Sequence, residues 1–417
     1  MKNITEVKDL CTGCGTCAGL CPQNIIKMEI DQKKGTYVPI IKGECNECMI
    51  CIKVCPGIAV NFEELNEFVF QEKPKDIILG TYKNIYVGHS LNEKLRSESS
   101  SGGVVLQLLL SLLDGKIIDG ALVTRMSKND PLKPEAFIAT TKDELIDAIG
   151  SKYCPVPANV ALNEILNSNF KKFAVVGLPC HIHGLRKAER LKKELKEKIV
   201  LHIGLFCSYG ITFLATQYLL YKLGIAEEEV KEMVYRTGDF PPGYMIIKCM
   251  NGSTKKVSHV KFWNLVFNHL IFCSSKRCMA CRDQTCELAD ISIGSGWFPY
   301  LQYNLKNHSL IITRSEFADR MIKRLNGSEM KMLRVEGKNG LKRLQEMEKF
   351  KRDFLKPNTG ILKLFGNKVP SYGVSSSKEK RISTGMYVWS LVRYIKTELS
   401  TKKYLWPIFK FFQNLDK

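Results

Sequence analysis

The sequence predicts an α+β chain in which a cysteine-rich N-terminal module precedes an α/β core with a partly parallel sheet. Three observations carry this expectation. Two cysteine runs of identical spacing lie within the first 56 residues. From Ile85 onward, strand-like and helix-like stretches alternate, as they do in βα units. At 417 residues and 45% apolar composition, the chain is long enough for two or three domains and apolar enough for a real core.

The first run is Cys11-x2-Cys14-x2-Cys17-x3-Cys21 followed by Pro22, and the second is Cys45-x2-Cys48-x2-Cys51-x3-Cys55 followed by Pro56. Each is the four-cysteine-plus-proline run of two-cluster ferredoxins, in which the fourth cysteine ligates the other run's cluster. One [4Fe–4S] cluster is therefore expected on Cys11, Cys14, Cys17 and Cys55. The other is expected on Cys45, Cys48, Cys51 and Cys21. Two-residue spacers let a tight loop wrap three corners of a cuboidal cluster, and a distant cysteine closes the fourth. Zinc favours two pairs over triplets, and disulfides belong to secreted chains.

The sixteen cysteines fit a reduced, cytoplasmic setting. Met1–Leu10 is charged and polar, so no signal-peptide core is expected there. The longest apolar run, Val104–Leu113, is interrupted by Gln107 and Ser111 and is too short to span a membrane. The net charge of +20 is uneven. Residues 1–80 carry 9 Lys/Arg against 11 Asp/Glu, whereas residues 341–417 carry 17 against 6. A basic body suits an anionic substrate or an anionic surface. No zinc finger, helix-turn-helix or RNA-binding signature accompanies the charge, so nucleic acid is not expected as a partner.

The ferredoxin module is expected over 1–66 as a duplication, each run followed by a strand, Ile25–Ile30 and Ile58–Phe62. Gln71–Asp76 is a charged connector. The core follows over 80–345. Strands are expected at Asn84–Gly88, Gly120–Thr124, Phe173–Gly177 and Val200–Phe206, with helices at Val104–Leu113, Val160–Leu166, His183–Lys196 and Phe213–Leu223. Met233–Lys248 and Lys255–Val260 read as antiparallel strands around a turn at Asn251–Gly252. Ser371–Arg381 reads as a linker, and 346–417 as a basic, helical tail.

Several core features point to chemistry. Ser97-Glu-Ser-Ser-Ser-Gly-Gly103 leads into an apolar helix, where small residues let backbone amides approach an anion. Gly177-Leu-Pro-Cys180 and Gly204-Leu-Phe-Cys207 end two successive strands. If those strands are neighbours in a right-handed crossover, both cysteines lie at the carboxyl edge where open α/β sheets bind ligands. Cys273-x4-Cys278-x2-Cys281-x4-Cys286 supplies more thiols. Either Cys180 and Cys207 join Cys278 and Cys281 around a third cluster, or the local quartet binds a metal alone. Tyr235-Arg-Thr-Gly-Asp-Phe-Pro-Pro-Gly243 places Arg236 beside a rigid turn.

Ser101-Gly-Gly103, Ile118-Asp-Gly120, Gly150-Ser-Lys-Tyr153, Val176-Gly-Leu-Pro-Cys180, Leu205-Phe-Cys207, Tyr235-Arg236 with Pro242-Gly243, and Cys278-x2-Cys281-x-Asp283 with Glu287-Leu-Ala-Asp-Ile-Ser-Ile-Gly294 occur in that order. This order resembles the family of beta subunits of coenzyme F420-reducing hydrogenases and F420-dependent dehydrogenases, over roughly residues 80–310. The resemblance implies a bound FAD, one [4Fe–4S] cluster in the core and hydride exchange with coenzyme F420. Carried onto this chain, it implies FAD contacts at Ser101, Gly102, Gly103, Ser151, Lys152, Tyr153, Pro179 and Arg236, and core cluster ligands at Cys180, Cys207, Cys278 and Cys281. Cys273, Cys286 and the segment beyond about 345 depart from the family pattern.

A deazaflavin moves two electrons as hydride, clusters move one at a time, and a flavin converts between the two. The expected activity is therefore hydride exchange between F420 and FAD, with single electrons passed through the clusters to a protein partner. The alternatives are an electron-relay subunit and a flavin or iron–sulfur reductase acting on another substrate. Arg125, Lys152, Arg186, Lys187 and Arg236 are candidates for a basic rim, and His181 and His183 for tuning a cofactor. In the tail, Val388, Leu391, Val392, Ile395 and Leu399 recur at helical spacing. Tyr404, Trp406, Phe409, Phe411 and Phe412 follow among lysines. That combination suits a membrane interface as well as packing on the body or a partner.

Overall fold

The computed structural model describes residues 3–74, 76–238, 243–268, 271–295, 307–336, 338–373 and 382–414. Thirteen strands form three sheets among the described residues. In the N-terminal module, β1 (Ile26–Asp31) and β2 (Thr36–Ile41) make an antiparallel hairpin. The second cysteine run is not followed by a matching strand. Ala59 makes only an isolated parallel bridge to Ser371, and a helix then spans Phe62–Phe70. The reason is local. Asn61 caps that helix by accepting from the Glu64 amide, and Glu63 and Glu64 occupy its first turn, where acidic side chains suit the helix dipole. The expected duplication therefore holds for the cysteine loops and not for the segments after them.

The core is an eight-stranded sheet in the order β13-β3-β12-β11-β7-β6-β4-β5. Its members are β3 (Asn84–Ser90), β4 (Gly120–Met126), β5 (Pro134–Ala139), β6 (Phe173–Gly177), β7 (Ile199–Leu205), β11 (Ile291–Ser295), β12 (Ser309–Thr313) and β13 (Met330–Arg334). β4, β6, β7 and β11 run parallel, and the strands outside them pair antiparallel. Alternate residues divide between the faces, as a pleated strand requires. Ala121 and Val123 join the cluster beneath the Val104–Asp114 helix, while Leu122 joins the cluster on the opposite face with Leu185 and Ala188. β6 and β7 are neighbours, so the residues after them, Cys180 and Cys207, lie at one edge of the sheet.

The region expected as one long strand before Asn251 is two strands, β8 (Val230–Thr237) and β9 (Tyr244–Cys249), paired with β10 (Thr254–Ser258). Gly238 and Gly243 adopt φ of 78° and 69° and break the run. The Asp239-Phe-Pro-Pro242 stretch between them lies outside the described residues, as does 374–381 of the expected linker. The basic helix expected over His183–Lys196 is two helices, Pro179–Leu191 and Lys193–Lys198.

The helix Lys338–Leu364 runs across residue 345, where the tail was expected to begin. It packs against the helix Thr384–Ser400, with Phe354 against Trp389 at 4.3 Å and Phe365 stacked on Tyr394 at 4.4 Å. The Thr384–Ser400 helix turns its small and polar side inward, burying Ser390, Arg393, Tyr394, Thr397 and Ser400. Of its apolar stripe, Val388, Val392 and Ile395 face out at 55%, 44% and 45% exposure, while Leu391 and Leu399 pack partly buried against the body. The helix Trp406–Asn414 buries Trp406 and Phe409, with Trp406 against Tyr218 and Tyr221 of the Phe213–Leu223 helix at 5.2 and 5.7 Å.

The N-terminal module sits directly on the core. A Cβ on Gly19 would lie 2.1 Å from the Asn159 carbonyl oxygen, and one on Gly184 would lie 2.3 Å from Thr16 Oγ1. Forcing atoms into such a seam costs about 1–3 kcal/mol. Gly19→Ala is therefore expected to lower the stability of the anaerobically purified protein by about that amount in denaturant titrations. Wild-type stability in this variant would mean that the module is not seated on Asn159.

Candidate functional site

The structure gathers the module's eight cysteines into two groups. Cys11, Cys14, Cys17 and Cys55 interact electrostatically with one another. Burial, reinforced by neighbouring thiols, pushes Cys11 up to about 12 and Cys55 up to about 11. Cys21, Cys45, Cys48 and Cys51 line a second small hollow together. Gly13 and Gly15, with φ of 69° and 83°, let the first loop wrap its thiols.

A cavity of about 660 Å³ opens at the carboxyl edge of the parallel strands. It extends from the Ser99–Ser101 loop and Gly103 to Thr12, Gly13 and Pro56 of the N-terminal module. Cys180, Cys207, Cys278 and Cys281 all line it, Cys180 feels the other three electrostatically, and Cys207 feels Cys278 and Cys281. Cys180 also feels Cys14 across the seam. Cys273 is fully buried in the apolar cluster around Tyr218, and burial alone raises its pKa. Cys286 feels Cys180 and Cys207 but lies behind Gly204, enclosed with Leu288 and Ala289. The geometry therefore gathers the strand-end pair with Cys278 and Cys281, not the local quartet. Among the described residues no three His, Cys, Asp or Glu side chains crowd closely enough for a single metal ion. A cuboidal cluster spreads its thiolates over four irons.

The other anticipated residues divide. Ser101 Oγ and the Gly102 amide bond Ser309 Oγ at 2.9 and 3.0 Å. A Cβ on Gly102 would strike the Gly88 carbonyl oxygen at 2.5 Å, so the loop needs glycine there. Gly103 starts the Val104–Asp114 helix in the left-handed region, and the Ser151 amide donates to Ser100 Oγ. Pro179 opens the helix that carries Cys180. Arg236 Nη1 donates to Tyr153 Oη and Ser295 Oγ, both at 3.2 Å. Lys152 lines the cavity, but its ammonium caps the carbonyls of Ala148, Ile149 and Gly150. Burial lowers its pKa to about 8.

Three expected rim residues are not on the rim. Arg125 pairs with Glu135 and Asp147. Lys187 donates to the carbonyls of Cys55 and Ala59, both at 2.7 Å, and so holds the module. Arg186 is buried between Glu189 and Asp290. His202 completes that cluster, with Nδ1–H donating to Asp290 and Nε2–H to Glu189 at 2.8 and 2.6 Å. His181 accepts the Leu178 amide at Nδ1 and donates from Nε2 to the Val156 carbonyl. Burial brings it down to about 4, so it is a neutral brace. His183 pairs with Asp283 at 2.7 Å. Burial opposes ionisation of Asp283, but His183, Arg314 and Lys351 pull its pKa down to about 2.

Residues that the sequence did not flag hold the parts together. Asn159 donates to Thr16 Oγ1 and to the His181 carbonyl, both at 2.8 Å, and its amide bonds the Cys14 carbonyl. Arg277, beside Cys278, reaches the carbonyls of Pro56 and Gly57 at 3.1 and 3.3 Å. Lys351 and Arg393, from the C-terminal helices, also line the cavity. Position next to Cys278 was the only signal for Arg277, and Asn159, Lys351 and Arg393 sit in no motif.

Comparison with known proteins assigns the chain to a family. The N-terminal and C-terminal profiles of the coenzyme F420 hydrogenase/dehydrogenase beta subunit match residues 85–163 and 170–337. A 4Fe-4S dicluster domain matches residues 10–59. The chain belongs to the family of coenzyme F420 hydrogenase/dehydrogenase beta subunits. It is thus an iron–sulfur protein of an oxidoreductase family, carrying a two-cluster domain ahead of the family core. One member, the beta subunit of the coenzyme F420 hydrogenase of Methanothermobacter thermautotrophicus, is 28% identical over 310 residues, covering 70% of this chain and 100% of that protein. The coenzyme F420-dependent sulfite reductase of Methanocaldococcus jannaschii is 29% identical over 369 residues, covering 85% of this chain and 50% of that protein. A subunit of the F420H2 dehydrogenase of Methanosarcina mazei is 26% identical, covering 70% of this chain and 80% of that protein. A chain of the F420-reducing [NiFe] hydrogenase complex from Methanosarcina barkeri shares the fold with a TM-score of 0.56 and 22% identity, over 70% of this chain and 97% of that one.

The buried charges of this family core make its stability depend on pH. Asp283 and Asp290 titrate lower folded than unfolded, held by His183 and by Arg186 and His202 respectively. Their contribution is complete above the unfolded carboxylate value of about 4 and is lost as pH falls toward the folded values. Burial and Arg186 oppose charging of His202, but Glu189 and Asp290 leave its pKa raised. Its contribution is complete below about 6.5 and is lost as pH rises through the folded value. Asp290→Ala removes one of the two carboxylates that hold Arg186 and His202 and is expected to cost about 3–5 kcal/mol at neutral pH in anaerobic denaturant titrations. Stability within about 1 kcal/mol of wild type would show that the cluster is not coupled as described.

Proposed function

We propose that the chain is an iron–sulfur flavoprotein oxidoreductase that exchanges hydride between coenzyme F420 and FAD and passes single electrons to a protein partner. The observation that carries the proposal is the shared cavity. It joins the small-residue loop at the Val104–Asp114 helix N-terminus, the four core thiols and the first cluster loop of the N-terminal module. When bound, FAD would supply interconversion between hydride and single electrons, and the clusters would supply one-electron storage.

The residues present fit these groups. Cys180, Cys207, Cys278 and Cys281 are the four thiols that would hold a [4Fe–4S] cluster. Ser101 and Gly103 line the cavity at a helix terminus suited to a pyrophosphate, while Gly102 packs against the Gly88 and Ser309 backbone behind them. Arg236, braced by Tyr153 and Ser295, adds a fixed cation in the cavity. Trp263, Phe267 and Phe272 line it and exclude water from its apolar part. Ser151 fixes the adjoining turn through Ser100, and Lys152 caps the neighbouring helix instead of reaching an anion.

The names of the relatives favour F420 as substrate and a protein complex as setting. An electron-relay subunit and a reductase of another substrate remain the competing readings, and one experiment separates all three. Anaerobically purified protein is expected to contain about twelve irons and one flavin per chain, with flavin bands bleached by reduced F420. Clusters without flavin would favour the relay, and flavin that reduced F420 leaves unbleached would favour another substrate. Cys180→Ala or Cys207→Ala should remove about four irons, whereas Cys273→Ala should remove none. The opposite pattern would overturn the ligand assignment.

Peripheral attachment to an anionic membrane surface is also proposed for the C-terminal helices. No helix among the described residues is long and apolar enough to cross a membrane. The outward Val388, Val392 and Ile395, with exposed Tyr404, Ile408, Phe411 and Phe412, instead offer apolar side chains near Lys402, Lys403 and Lys410. Each basic residue close to an anionic surface contributes about 1 kcal/mol at moderate salt. Replacing Val388, Val392 and Ile395 together by Ser should abolish low-salt sedimentation with anionic vesicles and leave iron content unchanged. Equal pelleting of the variant and wild type would discard this attachment.

A further inference from the structure

Lys351 lies beyond residue 337, where the family profile ends. The Lys338–Leu364 helix nevertheless carries it into the core cavity, and its side chain is 4% exposed. Its ammonium has three donors and meets three acceptors. They are the Cys207 carbonyl at 2.8 Å, the Asp283 carbonyl at 2.8 Å and Cys281 Sγ at 3.4 Å. A neutral amine would offer only two donors, so this geometry calls for the charged form. The same lysine lies 5.9 Å from the centroid of Tyr209. Tyr209 in turn is fixed by Arg393, which stacks between it and Trp389. One full positive charge is thereby locked against two of the four core cysteines by a segment outside the matched family region.

We propose that Lys351 is a positioning residue that raises the reduction potential of the iron–sulfur cluster on Cys180, Cys207, Cys278 and Cys281. The inference rests on the third-cluster reading above. Reduction adds one electron to the cluster and no proton, so the negative charge on the site increases by one. A fixed cation and an N–H···S hydrogen bond stabilise the more negative state, and both act strongly where solvent is excluded. Without Lys351 the cluster would remain closer to its oxidised state at a given ambient potential. The residue thus biases electrons arriving at the cavity to settle on the core cluster before they cross the seam to Cys14.

The test compares anaerobic wild-type protein with Lys351→Met and Lys351→Arg by iron analysis and by potentiometric titration followed by electron paramagnetic resonance. The expected result is about twelve irons in each. The core cluster's potential should fall in the Met variant by at least a tenfold change in its reduction equilibrium, which is about 59 mV for one electron. It should stay close to wild type in the Arg variant, which keeps the charge. If the Met variant sheds iron, Lys351→Gln, which keeps a donor, replaces it in the comparison. An unchanged potential with all irons present overturns the proposal, as does loss of iron in both uncharged variants. About eight irons in wild type itself would instead bring down the third cluster, and this inference with it.

Discussion

Everything in this molecule depends on how the N-terminal module is fastened to the core. Three side chains do this at the cluster loops. Arg277 binds the carbonyls after Cys55, Lys187 binds the carbonyls of Cys55 and Ala59, and Asn159 links the first cluster loop to the start of the Cys180 helix. Each uses charge or amide donors to satisfy groups that the fold takes out of water, where an unmet acceptor would be costly. Two of the three spring from the turns that carry core thiols: Lys187 from the Cys180 helix, Arg277 from beside Cys278. The same backbone that aims a thiol into the cavity also holds the neighbouring module in place.

The parts legible in the sequence were those with a short-range code. The cysteine runs fix their own loop geometry, and strand ends at Gly177 and Leu205 place Cys180 and Cys207 on one edge because adjacent parallel strands end together. The apolar runs of β3, β4, β6 and β7 were equally readable. What could not be read is partnership at a distance. Arg186 and Lys187 look like solvated charges on a basic helix, yet one is enclosed by Glu189 and Asp290 and the other by carbonyls of the module. No local pattern distinguishes a lysine awaiting a phosphate from one capping a helix, which is what Lys152 does.

The C-terminal region shows the same limit from the other side. The apolar stripe of the Thr384–Ser400 helix was visible at helical spacing, and the ordinary inference would turn that stripe inward. Tertiary contact splits the stripe, with Leu391 and Leu399 turned partly inward and Val388, Val392 and Ile395 facing out. Arg393 is drawn in by the aromatic rings of Trp389, Tyr209 and Phe272, and small residues let the helix lie close. A guanidinium sandwiched by rings is favourable when shielded from water. Periodicity reports which residues share a face and is silent about what that face meets.

The close seam at Gly19 and Gly184 has a kinetic consequence. A carrier that diffuses to its partner delivers electrons at a rate set by encounter and by its concentration. Here the carrier is welded in place with backbone nearly touching backbone, so any transfer between Cys14's cluster loop and the core is a unimolecular event. Dilution does not slow it, salt does not screen it, and no free ferredoxin can compete for the position.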